Sequence, residues 1–407
     1  MSPTDIISQL HTLEFKIKRL QQSYKKSNDQ LIVFKEKLNT ELLNINNILK
    51  FTQISCIYKD SWVKDNNLRK KFVCDMEKFL NFDETKSIDF VNFLTTNKYL
   101  LGYVGSGSIG HIFRICDGFG KDSSMCVKFS PYKKQTPLNI DHPHRDINSE
   151  FVMLNKLRKF VGDGRTPHIV LPIAKTLINM DMFDEYNTNF SGGNSSMKKF
   201  ITGHKNNNYH DVASAIFMEY FPEGSFYDVV KHTEIDKNFW KPLFFQLLFT
   251  LALIHEKYPF FRHNDLKPNN ILLRKVPIKT DYYVLYGNKY KVLNNGYHVI
   301  LFDFDWSCIK GIVPNLKVDT KWCKTLNVIS NKNRYYDLYY FFNCLRKKHW
   351  TFGKYKTAPK STRDFINRIA PRRVRHSEKG RSMSTKEYTT PKKLIEKDRY
   401  FEEYRVA

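Results

Sequence analysis

The chain has 407 residues, of which 41% are hydrophobic and 26% charged, and this length gives room for one domain of two lobes plus extensions. Lysine and arginine number 66 against 41 aspartates and glutamates, so the formal net charge is +25. The 7 cysteines include no C-x-x-C pair and no stretch holds about 18 consecutive apolar residues, which argues against a disulfide framework, a zinc ribbon and a transmembrane segment.

The basic charge favours association with nucleic acid, an anionic membrane surface or acidic proteins. Because the lysines are spread over the whole chain, a solvated basic surface without a dedicated partner fits equally well. The scattered cysteines and the lack of a signal peptide predict a soluble, intracellular protein in a reducing compartment.

The N-terminal region has a helical pattern. Between residues 6 and 52 apolar residues recur at alternating steps of three and four, and only Ser27 and Glu41 break the seam. We therefore assign residues 1–52 to a long helix or coiled-coil arm, which would serve self-association or docking, or would fold back on its own domain. Residues 53–98 are predicted to form a helical connector.

From residue 99 the pattern changes to strands, with spaced glycines between the first two. Glycines allow a tight hairpin whose backbone N–H groups approach phosphate oxygens without interference from a Cβ atom. The next strand carries Lys128. The hairpin residues assigned to nucleotide binding are Gly105, Ser106, Gly107, Gly110 and Ile112.

Residues 145–160 are predicted to form an amphipathic helix with Ile147 and Phe151 on its apolar face. Glu150 lies on that same face, where an unpaired carboxylate would be costly. An ion pair between Glu150 and Lys128 would remove this cost. A solvated glutamate is the alternative.

Three stretches then follow with different characters. Residues 181–210 are rich in Asn, Ser, Gly and Lys and lack periodicity, which predicts a long, mobile surface insertion. Residues 215–225 have the pattern of a strand and a turn. Residues 238–256 are apolar almost all round and predict a helix buried at the centre of the second lobe.

The loop after this helix has the composition of a reactive site. Residues 263–273 combine a carboxylate, a lysine and asparagines before a short apolar strand, which is poor material for a core. Asp265 can accept the proton of an incoming hydroxyl, and Lys267 can neutralise a phosphoryl group in transfer. Asn270 can offer a hard oxygen to Mg²⁺.

Two more carboxylates follow an extra hairpin that is predicted over residues 276–298. The apolar strand at 299–302 is followed directly by Asp303. Asp305 either supplies another oxygen near Mg²⁺ or caps the segment that follows.

These motifs resemble those of protein kinases. The loop resembles H-R-D-L-x-x-x-x-N, the hairpin resembles G-x-G-x-x-G-x-V, and residues 303–305 have D-F-D where the family has D-F-G. Asn264 stands in place of the loop arginine, and the C-lobe is short and rich in aromatic residues. Together with D-F-D, these features make the stretch from about residue 99 to 350 similar to the virion serine/threonine kinases of poxvirus and iridovirus type.

The resemblance implies an α+β, bilobal fold with an antiparallel β N-lobe at residues 99–219 and a shortened helical C-lobe at 220–357. It implies ATP and Mg²⁺ as cofactors, with Lys128 and Glu150 orienting the phosphates and Asp303 as a ligand of the metal. Met218 would lie behind the nucleotide, and the backbones of Glu219 and Phe221 would bind the base.

The same resemblance implies two structural supports for the loop. His263 would pack beneath it, and Asp337 would steady its backbone. The asparagine at 264 argues against activation-segment phosphorylation as the on-switch. Residues 358–407 are basic, Ser/Thr-rich and poor in aliphatics, so they are predicted to form a flexible tail that contacts nucleic acid, is autophosphorylated or is merely solvated.

The sequence therefore predicts an ATP- and Mg²⁺-dependent protein kinase acting on serine and threonine, with viral structural proteins and the chain itself as candidate substrates. Host cytoplasm and virion are the expected locations. A small-molecule kinase of the aminoglycoside or choline type shares the D-x-D triplet, but Lys267 and the complete glycine hairpin argue against it. A pseudokinase scaffold is opposed by the filled phosphate and metal positions.

Overall fold

The computed structural model describes residues 66–97, 99–107, 110–116, 122–185 and 195–406, and isolated helical positions between residues 15 and 43. The predicted coiled-coil arm over residues 1–52 lies outside the described residues except at those positions. The described chain is α+β, because one mixed β-sheet precedes a part made mainly of helices. No helix in the described ranges is both long and apolar enough to cross a bilayer.

The sheet has six strands: β1 (Ser87–Ile88), β2 (Leu100–Ser106), β3 (His111–Cys116), β4 (Asp122–Lys133), β5 (Pro172–Asn179) and β6 (Tyr209–Glu219). Their spatial order is β1-β5-β6-β4-β3-β2. β1 runs parallel to β5, and the other neighbours are antiparallel. The inner strands β4 and β6 are buried along most of their length, and each has an apolar run at its buried part, at residues 125–127 and 215–218.

The helices beside the sheet are α1 (Asn66–Leu80), α2 (Phe90–Thr96) and α3 (Asp146–Gly162). α1 buries Phe72 and Met76, one turn apart, on a single face. Asp89 caps the N-terminus of α2, and its carboxylate accepts a hydrogen bond from the backbone N–H of Asn92 at 2.9 Å. The connector predicted over residues 53–98 is thus mainly helical where the structure describes it, with β1 as an unexpected strand.

The prediction of a mobile insertion over residues 181–210 is wrong for its described part, which contains α4 (Met182–Glu185) and α5 (Ser195–Lys205). Phe200 and Ile201 on α5 are buried in the main core. The few apolar residues of this polar stretch lie on one face of a helix, and that arrangement matters more than the average composition.

The helices of the second part are α6 (Phe226–His232), α7 (Trp240–Lys257), α8 (Lys321–Thr325), α9 (Tyr336–Leu345), α10 (Lys348–Thr351), α11 (Lys354–Thr357), α12 (Lys360–Ile369) and α13 (Pro391–Lys397). Its short strands are β7 (Phe261–Arg262), β8 (Ile271–Lys275), β9 (Thr280–Leu285), β10 (Asn288–Leu293), β11 (Tyr297–Leu301) and β12 (Cys308–Ile309). α7 is buried nearly all round, as its apolar sequence predicted. β9 and β10 form the predicted extra hairpin.

The prediction that residues 358–407 form a flexible tail is wrong for residues 358–406. α12, α13 and a 3-10 helix at Arg399–Tyr404 pack into the core, with Phe365 and Phe401 fully buried and their ring centroids 5.1 Å apart. The segment is poor in aliphatic residues, but its aromatic residues fill the space beside α7 and stabilise it there.

Candidate active site

One strand pairing brings the loop at residues 263–270 next to Asp303. β8 begins directly after the loop, β11 ends shortly before Asp303, and the antiparallel register pairs Ile271 with Leu301. Lys128 extends from β4 to the same place, with its Nζ atom 2.9 Å from Asp303 Oδ1. Groups that are far apart in the chain therefore meet in one cleft.

The backbone of the loop is fixed by Asp337 on α9. The two oxygens of this buried carboxylate accept hydrogen bonds from the backbone N–H groups of His263 and Asn264, both at 2.8 Å. The His263 ring lies 3.0 Å from the carbonyl oxygen of Phe302 and packs near Phe304. Asp337 and His263 thus occupy the supporting positions that the resemblance implied.

The Asp265 carboxylate is held through both of its oxygens. Oδ2 accepts hydrogen bonds from Lys267 Nζ at 2.8 Å and from Asn270 Nδ2 at 3.0 Å. Oδ1 accepts a hydrogen bond from Arg381 Nη2. A carboxylate oxygen has two lone pairs, so Oδ1 keeps one for a further donor such as a hydroxyl.

Lys128 is buried between two carboxylates. Its Nζ atom lies 2.7 Å from Glu150 Oε1, on α3, in addition to the contact with Asp303. Burial alone would lower the pKa of Lys128, but the charges of Asp303 and Glu150 outweigh burial and raise this pKa above its ordinary value. The side chain is therefore an ammonium ion at neutral pH.

The two carboxylates beside Lys128 differ in their proton affinity. Burial raises the pKa of Glu150 to about 7, although Lys128 opposes the rise. Burial also acts to raise the pKa of Asp303, but Lys128, and more weakly Lys267 and Lys317, lower it to about 2. Asp303 is thus ionised at neutral pH, whereas Glu150 titrates near neutrality.

The oxygens near Asp303 fit a hard divalent cation. The Asn270 side chain uses its amide nitrogen to donate to Asp265, at 2.9 Å to the carbonyl oxygen, and this contact does not occupy its Oδ1 atom. No hydrogen bond from a described residue reaches Asn270 Oδ1 or Asp303 Oδ2. A carboxylate and an amide oxygen are ligands that Mg²⁺ accepts.

The glycine hairpin closes one side of the cleft. The backbone N–H of Gly107 donates to the carbonyl oxygen of Gly110 at 2.9 Å. A Cβ atom at Gly110 would lie 2.8 Å from Ser130 Oγ and 3.1 Å from Lys128 Cε, so a side chain there would disturb the lysine. Cβ atoms at Gly105 and Gly107 would meet open space, which leaves their backbone accessible.

The cleft has a volume of about 450 Å³. The predicted residues that line it are Gly105, Ser106, Gly107, Ile112, Lys128, Asp265, Lys267, Asn270, Asp303 and Asp305.

The predicted base-binding strand lies outside this lining. Met218 and Glu219 are buried at the end of β6, and Phe221 is buried two residues beyond it. The backbone N–H of Glu219 donates to the carbonyl oxygen of Leu171, and its side chain forms a buried ion pair with Arg69 at 2.5 Å. Arg69 comes from α1, so this connector helix anchors the strand on which the base is predicted to pack.

The Asp305 carboxylate forms an ion pair with Lys317 Nζ. Its carbonyl oxygen accepts a hydrogen bond from Asn315 Nδ2 at 2.8 Å. The sequence reasoning considered a metal ligand or a cap and did not anticipate this lysine partner.

Sequence reasoning also missed the C-terminal residues of the cleft. Lys379 and Arg381, from the stretch predicted to be a flexible tail, line it together with Trp306 and Tyr340. Arg381 follows Asp265 by 116 residues, and no local spacing relates the two. The sequence carries no local signal for this contact.

Comparisons with known proteins agree on one family. The family model described as poxvirus serine/threonine protein kinase matches residues 196–401. A "Putative serine/threonine-protein kinase" of Acanthamoeba polyphaga mimivirus is 32% identical over 415 aligned residues, covering 93% of this chain and 87% of the relative. Serine/threonine-protein kinase 2 of fowlpox virus is 29% identical over 145 residues, covering 35% of this chain and 29% of the relative.

Proposed function

The chain belongs to the poxvirus serine/threonine protein kinase family, and on this premise we propose that its cleft transfers the γ-phosphoryl group of ATP, with Mg²⁺, to serine and threonine hydroxyls of proteins. One observation carries the proposal. Side chains separated by long stretches of sequence, from Lys128 to Asp303, converge in a single cleft with the charges and oxygens that phosphoryl transfer needs.

In this proposal Asp265 is the general base. As the acceptor oxygen forms its bond to the γ-phosphorus and the bond to the β,γ-bridging oxygen breaks, the hydroxyl proton passes to the Asp265 carboxylate. Lys267, 2.8 Å from Asp265, lies where it can stabilise the negative charge of the phosphoryl group. A positioned general base contributes about 10²–10⁴-fold to a rate.

Lys128 and the glycine hairpin would position the phosphates. The ion pair with Glu150 holds the lysine in place, and the uncovered backbone at Gly105 and Gly107 can approach phosphate oxygens. Asn270 and Asp303 would hold Mg²⁺, which when bound neutralises charge on the phosphate oxygens. The adenine would pack against the end of β6, near Met218, with the backbones of Glu219 and Phe221 as its partners.

The test is transfer from γ-labelled ATP to casein, to a basic protein, to the chain itself and to small aminoglycoside and choline acceptors. We expect label on serine and threonine of at least one protein, loss of transfer when Mg²⁺ is chelated, and recovery when it is restored. Label on the chain itself would establish autophosphorylation. Folded, nucleotide-binding protein that labels only a small molecule, or nothing, would contradict the proposal.

A further inference from the structure

The guanidinium group of Arg381 contacts the proposed base directly. Nη2 donates to Asp265 Oδ1, and Nη1 donates to the carbonyl oxygen of the adjacent residue, Asn264. The group lies 4.2 Å from the ring centroid of Tyr340 and 5.3 Å from that of Trp306. Arg381 is only 5% exposed, so these contacts form in surroundings that strengthen a charge-assisted hydrogen bond.

The residues around Arg381 are anchored to the rest of the fold. Asn343, on α9, donates to the carbonyl oxygen of Gly380 at 2.9 Å. Asn327 donates to the carbonyl oxygen of Ser382, also at 2.9 Å. These contacts hold the backbone on both sides of Arg381, so the guanidinium group is positioned before any substrate arrives.

The side chain of Asn264, the residue next to the proposed base, donates to groups other than the Asp265 carboxylate. Its backbone is left-handed, with φ at 63°, a conformation that asparagine tolerates better than most residues. Its side-chain nitrogen donates to the carbonyl oxygen of Trp306 at 3.1 Å, away from Asp265. The side chain at position 264 therefore binds neighbouring backbone, and the guanidinium group that contacts Asp265 comes from Arg381.

We propose that Arg381 is a positioning residue for the phosphoryl-transfer reaction: it fixes the Asp265 carboxylate from the side opposite Lys267 and Asn270. The inference rests on the proposed function, because it assigns Asp265 as the base. With donors on Oδ2 and Arg381 on Oδ1, rotation of the carboxylate is restricted. One lone pair of Oδ1 remains for the substrate hydroxyl.

A blocking role for Arg381 is the competing interpretation. A blocking side chain must leave the site during each cycle, whereas Arg381 packs against two aromatic rings and its neighbours are anchored by buried hydrogen bonds. Displacing it would leave the Asn264 carbonyl oxygen and the guanidinium group without these partners at considerable cost. The geometry thus favours a fixed support.

The experiment compares kcat and KM for Arg381→Ala, Arg381→Lys and the wild-type chain. We expect kcat of Arg381→Ala to fall about 10²-fold, since misplacement of a catalytic group by about 1 Å has that effect, while KM for ATP stays close to the wild-type value. Arg381→Lys should be intermediate, because one ammonium group cannot make the planar, two-donor contact. Guanidinium ion at a non-denaturing concentration should restore part of the kcat of Arg381→Ala, and urea should not.

Arg375→Ala is the matched control, because this exposed arginine lies in the same stretch and does not line the cleft. It should retain the wild-type kcat. A rise in kcat for Arg381→Ala would overturn the proposal in favour of a blocking role. An unchanged kcat, or a loss that neither lysine nor guanidinium ion reduces, would also overturn it. Either result with an active wild-type chain leaves the proposed kinase function intact, whereas an inactive wild-type chain contradicts that function itself.

Discussion

Two regions donate hydrogen bonds to the Asp265 carboxylate: its own loop at residues 263–270 and the stretch at residues 371–390. The two regions are stabilised in different ways. The loop lies between buried elements, and Asp337 accepts hydrogen bonds from its backbone. The 371–390 stretch contains no α-helix or β-strand longer than an isolated bridge, and side-chain amides and ion pairs fix its backbone. The loop is therefore supported mainly by the packed elements around it, whereas the second stretch, apart from the buried Val374, is held largely by polar contacts.

This difference has a functional consequence. A stretch fixed by individual polar contacts opens at a lower free energy than one enclosed by the core. Changes in a few side chains should therefore release Arg381 from Asp265 while leaving the loop intact. The following predictions test this difference between the two regions.

The largest effect is expected on the loop side, at Asp303. Asp303→Asn removes the proposed metal carboxylate and one partner of Lys128, and it should cost several kcal/mol of transition-state stabilisation, measured as the fall in kcat/KM. Asp305→Asn is the matched control. Because Asp305 is paired with Lys317, Asp305→Asn should change kcat/KM far less than Asp303→Asn does if Asp305 has a structural role.

Equal losses of activity in the Asp303 and Asp305 variants would instead indicate that both carboxylates hold the metal. Titration of the rate with Mg²⁺ distinguishes the cases, because only the loss of a ligand raises the Mg²⁺ concentration needed for half-maximal rate.

The next largest effect is expected on the free energy of unfolding, when a core residue of the C-terminal region is replaced. Phe401→Ala removes a fully buried ring that packs beside Phe365 and Phe245, and it should lower the free energy of unfolding by about 3–5 kcal/mol. Denaturant unfolding measures the change. Val406→Ala, at a position 46% exposed, should have little effect. Unfolding of both variants at the wild-type midpoint would show that this region does not contribute to the core.

A smaller effect is expected where the 371–390 stretch is anchored. Asn343→Ala leaves the carbonyl oxygen of Gly380 without its donor and should lower stability by about 1–3 kcal/mol. Hydrogen exchange should become faster at residues 371–390 and stay unchanged at 263–270. Asn367→Ala, at an exposed position, serves as the control. Equal acceleration in both regions would contradict the distinction between them.

The smallest expected effect is a pH dependence of KM for ATP that arises from Glu150. Its pKa is raised from 4.5 to about 7, so the carboxylate form becomes the majority only as pH rises through about 7. Above that pH the ionised Glu150 holds Lys128 more firmly for the phosphates, and KM for ATP should fall. Glu150→Gln should raise KM for ATP and remove this part of its pH dependence. A KM with the same pH profile in both proteins would refute the assignment.

The parts of the site whose residues lie close together in the chain could be predicted from the sequence. Asp265, Lys267 and Asn270 lie within one loop, and their side chains were predictable because the chemistry requires those groups close together. The meeting of Lys128 with Glu150 was also predictable, since a carboxylate on an apolar helix face needs a partner.

Contacts that depend on the path of the chain were not predictable in this way. The role of Arg381 follows from where residues 371–390 lie, and a basic, Ser-rich stretch resembles a solvated tail by composition alone. The helical spacing of Phe365, Ile366 and Ile369 was nevertheless present in the sequence, and it indicated a packed helix in the region that was interpreted as flexible.

The measurement that tests the account most directly is the turnover of Asp265→Asn on a protein acceptor at saturating ATP and Mg²⁺. The amide keeps the shape of the side chain but cannot accept the hydroxyl proton, so we predict a fall in kcat of about 10²–10⁴-fold with nucleotide binding retained. Asp364→Asn, at a partly exposed surface carboxylate, should keep the wild-type rate. A wild-type rate in Asp265→Asn would contradict the assignment of Asp265 as the base and, with it, the role of Arg381.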